Sequence, residues 1–174
     1  MIFVPQDKSV GSDALYESVM EVLASAQLLA LATLDLQNSE PNSTNVYFCY
    51  DDAPTIYFIS KNQSRHSQLI EKCPNVMCSI YRQWEVWGEN LHGVQLAGTC
   101  SRLSGASAAK ALLTYAKRFS TFKIMGEAMH AFMGNSGHAS IYQIRLSRGK
   151  VLDEARFGKR NQMAFQFKAT GTSN

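Results

Sequence analysis

Two periods of apolar and polar residues run along this chain. After Ser12, the residues Leu15, Val19, Val22, Leu23 and Ala26 recur at spacings of three and four, which predicts an amphipathic helix with Glu17 and Glu21 on its solvated side. LLALATL (28–34) is a short apolar run closed by the turn-forming DLQNSEPN, and these limits predict a strand although leucine and alanine favour helix. From 43 to 50, Thr44, Val46, Phe48 and Tyr50 alternate with Asn45, Tyr47 and Cys49, and the turn Asp51-Asp52-Ala53-Pro54 returns the chain as a hairpin strand over 56–60. A short helix follows from Arg65 to Lys72, ended because Pro74 pushes Cys73 out of the helical region.

The second half reads in the same way. Val76 to Tyr81 and His92 to Leu103 are strands, separated by a loop over 82–90 whose Trp84 and Trp87 either cover a planar ligand or, as is commoner, close a core or a subunit contact. Ala108 to Phe119 is a helix with a basic end. The methionines and aromatics between Phe122 and Met133 predict a further core helix, and 140–146 and 163–167 alternate as strands. No repeat or linker divides the chain, so the expectation is one domain over 1–174 with its core at about 12–167 and a frayed tail.

With 174 residues the chain is long enough to bury about two thirds of its unfolded surface without staples. Cys49, Cys73, Cys78 and Cys100 match neither zinc spacing nor a disulfide framework, and they read as buried free thiols. A net charge of +3 permits an anionic ligand and gives nucleic acid little support as a partner. There is no basic leader and no apolar run long enough to span a membrane, which predicts a cytoplasmic protein.

The candidate chemistry lies at one junction. Ser60 and Lys61 end a strand, and Ser64, Arg65 and His66 open the next helix, so hydroxyls, an ammonium and a guanidinium meet the unpaired N–H groups of a helix start. That combination suits a phosphate. The ordinary alternative is a solvated helix start capped by serine. Gln95, on the polar side of its strand, either lines a cavity or faces water. The glycine-rich dinucleotide and phosphate loops, the paired-histidine zinc motif and the serine nucleophile elbow are all missing, and the four histidines form no metal spacing with one another. No metal ligand set and no catalytic residue is therefore assigned.

In this order and spacing, LALATLD, YFISKNQSRHSQLIEKCPNV and VQLAG resemble the pyridoxamine-phosphate oxidase-like, FMN-binding split-barrel family, over roughly 28–103. RLSGASAAKALLTYAKRF, IYQIRL and ARFGKRNQMAF extend the likeness towards 167 and resemble a small bacterial subgroup rather than the true oxidase. The resemblance implies a mainly β fold, a six-stranded antiparallel split barrel with flanking helices. It implies FMN as cofactor, its phosphate on Ser60, Ser64 and Arg65, with Lys61 and His66 adding charge. It also implies the ring along Thr44, Asn45, Val46 and Tyr47, with Gln95 approaching from a later strand. His66 and Cys49 stand where the oxidases carry lysines, and Thr44 stands near an arginine position. A homodimer with the cofactor at its interface is expected, acting as an oxidoreductase between a nicotinamide or other reductant and a small planar substrate. The alternatives are a non-catalytic carrier of flavin, heme or a related ring, and a nucleic-acid binder using Lys159, Arg160 and Lys168.

Overall fold

The computed structural model describes residues 2–7, 9–51, 55–81, 88, 90–119 and 138–168. The tryptophan loop, the methionine-rich segment, the 52–54 turn and the 169–174 tail lie outside the described residues. The described chain runs β1 (Ile2–Pro5), α1 (Ser12–Ser25), β2 (Leu28–Asp35), β3 (Glu40–Tyr50), β4 (Ile56–Lys61), α2 (Arg65–Lys72), β5 (Asn75–Tyr81) and β6 (His92–Arg102). It continues with α3 (Gly105–Arg118), β7 (Ala139–Asp153), α4 (Glu154–Phe157) and β8 (Gln162–Lys168).

All pairings are antiparallel, in the order β1-β8-β7-β4-β3-β2-β5-β6, and β6 pairs back onto β7. Six strands thus close a ring, as the family resemblance implies, while β8 and β1 continue outward from β7. The ring is uneven. One edge of β7 pairs with β6 from Tyr142 to Asp153, while its other edge serves β4 up to Ile144 and β8 from Arg148. Two strand stretches and the short α4 went unread in the sequence. Strand β1 is only four residues long and ends in proline, and β7 runs seven residues past Leu146. At Ser147 the register against β6 shifts between Ala97 and Gly98, so the buried positions change phase from Ile144 and Leu146 to Gly149, Val151 and Asp153. A bulge resets strand alternation, and a single-period reading stops there.

Neighbouring residues on a strand point to opposite faces, and this chain uses both. Phe48, Phe58 and Tyr142 point into the ring, where they join the Leu15, Val19, Val22 and Leu23 face of α1. Their neighbours Cys49, Tyr57 and Ile141 point outward and are covered by Ala111 and Tyr115 of α3. Arg118 fastens the end of α3: it donates to the carbonyls of Leu23 and Ala26 at the end of α1, and its guanidinium lies 4.9 Å from the Phe48 ring centroid and 4.8 Å from that of Tyr50.

A buried polar knot ties α1 to the sheet. Ser18 Oγ donates to Asp153 Oδ2 at 2.7 Å, and His92 Nε2 lies 3.0 Å from Ser18 Oγ and 3.4 Å from Asp153 Oδ2. Asp153 Oδ1 caps α4 by accepting from Arg156 N–H at 3.0 Å, and Arg156 reaches Glu21 at 2.9 Å. These ties carry the charges that an apolar core excludes.

All four cysteines are free and buried, as expected. Burial pushes the Cys49, Cys78 and Cys100 thiols up to about 12, so almost no thiolate forms near neutral pH. Alkylation near neutral pH should therefore leave these three unmodified in the native protein. Labelling, read by mass spectrometry against denaturant, should rise together with unfolding. Among the described residues no helix is long and apolar enough to cross a membrane.

Candidate functional site

The ring opens between β3 and β4. Their ladder holds only from Tyr50↔Ile56 to Phe48↔Phe58, although β3 continues back to Glu40 and β4 on to Lys61. Extended, that register would set Val46 opposite Ser60 and Asn45 opposite Lys61. Instead the strands part, and the tail of β4 pairs only with β7 on its other side, Ser60 with Ser140 and Lys61 with Ala139. Thr44 to Tyr47 and Ser60 to Lys61 thus flank the split.

Helix α2 starts at this opening. Ser64 has extended backbone (φ −66°, ψ 148°) and its Oγ accepts from Ser67 N–H at 3.4 Å, so it is the N-cap the sequence predicts. Ser60 Oγ, Ser64 Oγ and His66 Nε2 form a triangle with sides of 3.0, 2.6 and 3.1 Å. Ser64 Oγ also donates to Ser67 Oγ at 2.8 Å. With that proton committed to Ser67, the Ser60 hydroxyl and, in the Nε2–H tautomer, the His66 ring supply two hydrogens to three contacts. The cup is rich in donors that are occupied with one another. An anion oxygen seated there would take both, together with the N–H groups of the first turn of α2.

Arg65 is placed differently. Its side chain is 58% exposed and turns toward the β2–β3 hairpin, 3.3 Å from Glu40 Oε2 and 3.6 Å from Asp35 Oδ2. Asp35 is itself fixed: it accepts from Gln37 N–H at 3.0 Å and Asn38 Nδ2 at 3.2 Å, and the Gln37 N–H holds its carboxyl below the usual range. Burial, by contrast, lowers His66, which favours its neutral form when no anion is present.

The structure thus brings Ser60, Ser64 and His66 into direct contact, while Arg65 turns to Asp35 and Glu40 and Lys61 is exposed at the end of β4. On β3, Asn45 and Tyr47 are exposed and Thr44 is half-buried, whereas Val46 turns into the core and offers the opening only its backbone. The Tyr47 carbonyl accepts from Tyr115 Oη at 3.4 Å. Gln95 is exposed on the outer face, reached from Asn45 through the ladder pairs Asn45↔Ala30, Ala30↔Ser79 and Ser79↔Gln95. Three strand spacings, about 14 Å in all, separate them. Within one protomer Gln95 does not meet the cup. Sequence reasoning missed Ser67, Asp35 and Glu40. Ser67 falls at the N3 position that an N-cap addresses, a signal that was available, but no local pattern shows that Arg65 turns back across the hairpin.

The family model described as Pyridoxamine 5'-phosphate oxidase matches residues 15–145. The chain belongs to this family. A search of curated proteins finds no match. Solved structures share the fold. A heme binding protein from Mycobacterium smegmatis superposes with TM-score 0.69 at 18% identity, covering 90% of this chain and 58% of its own, so this chain spans little more than half of that protein. The heme storage protein HutZ from Vibrio cholerae superposes with TM-score 0.59 at 16% identity, over 73% of this chain and 86% of its own. A Clostridium acetobutylicum protein of the pyridoxinephosphate oxidase family, related to general stress protein 26, does so with TM-score 0.61 at 14% identity, over 91% and 97%. The fold is accordingly the split β-barrel of the pyridoxamine 5'-phosphate oxidase family.

Proposed function

We propose that this chain binds FMN at the opening between β3 and β4, as a flavoprotein passing electrons between a nicotinamide or other reductant and a small planar substrate. The hydroxyl and imidazole cup at the start of α2 carries this reading: its donors are preassembled at the scale of a phosphate. Ser60, Ser64 and His66 would hold the phosphate, Arg65 and Lys61 would add charge from the rim, and β3 from Thr44 to Tyr47 would flank the ring. When bound, FMN supplies one- and two-electron transfer, while the protein orients it and sets the surrounding charge.

Assembly as a homodimer is part of the proposal. Leu28, Leu34, Tyr47, Met77 and Tyr81 are 38–66% exposed on one outer face of the sheet, with Leu28 paired to Tyr47, and an apolar face of this kind favours a partner. A second copy would bring its Gln95 toward the opening.

Replacing Arg65 with alanine should weaken FMN binding about tenfold, a value at the lower end for a charge-assisted contact because Asp35 and Glu40 already hold part of that charge. Titration of flavin fluorescence measures it. Equal affinity in variant and parent would remove Arg65 from the site. A second reading, a carrier of a heme-like ring, is favoured by the two heme-related proteins that share the fold. The absorption spectrum of purified protein separates the two: flavin bands that bleach on reduction support the first, and a Soret band supports the second.

A further inference from the structure

At the opening Arg65 is shared between two carboxylates, Asp35 and Glu40, so among the described residues this cluster carries no net positive charge. The carboxylates lie within 3.6 Å of the Arg65 guanidinium, and Asp35 is locked in place by Gln37 and Asn38. A phosphate dianion entering the cup therefore meets an arginine whose charge is already engaged. Among the described residues, the group inside the cup that can change charge is His66, with Nε2 2.6 Å from Ser60 Oγ and 3.1 Å from Ser64 Oγ.

We propose that this site takes its phosphate monoester together with a proton, which His66 acquires when the anion seats. The proposal rests on the FMN-binding reading above and adds to it the residue that sets the charge requirement. The neighbours of His66 fit. On its own helix lie the Ser64 and Ser67 hydroxyls, and from β4 come Ser60 and the Phe58 ring, its centroid 6.5 Å away. Among the described residues, the charged or titratable groups on the packed elements are Arg65, Lys61, Asp35 and Glu40, Lys72 in the last turn of α2, the Glu71–Arg102 pair farther along it with Arg102 Nη1 3.9 Å from Glu71, His92 at the far end of β6, Tyr142 stacked on Phe58, and His138, whose carbonyl accepts from Asn62 N–H beside the end of β4. None is a carboxylate committed to the imidazole. With no anion present, burial favours the neutral ring, and a dianion at hydrogen-bond distance reverses that preference.

The sign of the effect follows from proton uptake. Affinity is fully expressed below the titration point of free His66 and declines as pH rises through that of the complex. Second ionisation of the phosphate, near pH 6, acts in the opposite direction, so a permanently charged variant supplies the reference. Between about pH 6 and about pH 8, FMN affinity of the parent should fall roughly tenfold relative to His66→Lys, the factor that corresponds to one unit of pKa change. In the unsubstituted protein, the His66 ring resonances followed by NMR should titrate at higher pH with FMN than with riboflavin, which lacks the phosphate. That measurement does not depend on the variant folding. FMN binding with a parent-to-variant ratio that is flat across pH, or a His66 titration identical for FMN and riboflavin, overturns the proton coupling and leaves the FMN site standing. Riboflavin and FMN both failing to bind at any pH overturns the FMN reading, and the coupling with it.

Discussion

Gly98→Ala is expected to destabilise the fold by about 3 kcal/mol, the upper end for overpacking, because the added carbon meets backbone and not a side chain that can turn away. A Cβ at Gly98 would lie 2.1 Å from the Arg145 carbonyl oxygen and 3.0 Å from the Leu146 Cα. The position sits at the register shift of β6 against β7, where Ser147 Oγ donates to the Ala97 carbonyl at 3.1 Å and the strands are pressed together. Relief would require the bulge to unwind, and the ring closes through it. Urea denaturation followed by circular dichroism reads the change. Gly149→Ala is the comparison: its Cβ would meet the Phe165 and Leu96 side chains at 2.5 and 2.7 Å, and because side chains yield, the expected loss is smaller, about 1–2 kcal/mol. Equal losses at the two positions would show that the bulge is compliant.

Asp153→Ala is expected to cost about 3 kcal/mol, since removing one member of a buried hydrogen-bonded charge cluster strands the others. Three elements lose a partner at once. Ser18 Oγ loses its acceptor inside α1, His92 loses the carboxylate beside it, and the first turn of α4 loses its cap from Asp153 Oδ1. Ser18 is fully buried, so water does not replace the lost acceptor without opening α1. Asp153→Asn keeps an oxygen that can accept from Ser18 and should lose roughly half as much. Equal denaturation midpoints for Asp153→Ala and the parent would show that the knot contributes nothing to stability.

Where each element satisfies one period, the sequence shows it. Helix α2 begins and ends where Ser64 and Pro74 place it, and β2, β3 and β4 follow their apolar runs with small changes at the ends. Two features escape for different reasons. The far half of β7 is hidden because the extra residue at Ser147 inverts the alternation, and β1 is hidden because four residues carry no period and gain their order from β8 and from Phe3 packing against Tyr16 of α1. At the candidate site, Ser60, Ser64 and His66 were legible because they lie within seven residues of sequence across one turn. The engagement of Arg65 by Asp35 and Glu40 joins residues 25 to 30 positions apart across a hairpin, and only the three-dimensional path reveals it.

The sharing of β7 among β4, β6 and β8 has a consequence for synthesis. This strand is the last of the six ring members to leave the ribosome, so every earlier strand waits with its partner edge on β4 and on β6 bare until residue 153 has emerged. Bare edges recruit other chains, and pairings this distant in sequence form slowly. Translation therefore passes through an interval in which the nascent chain is sticky, and truncation anywhere inside 139–153 should leave it permanently in that condition, a client for chaperones.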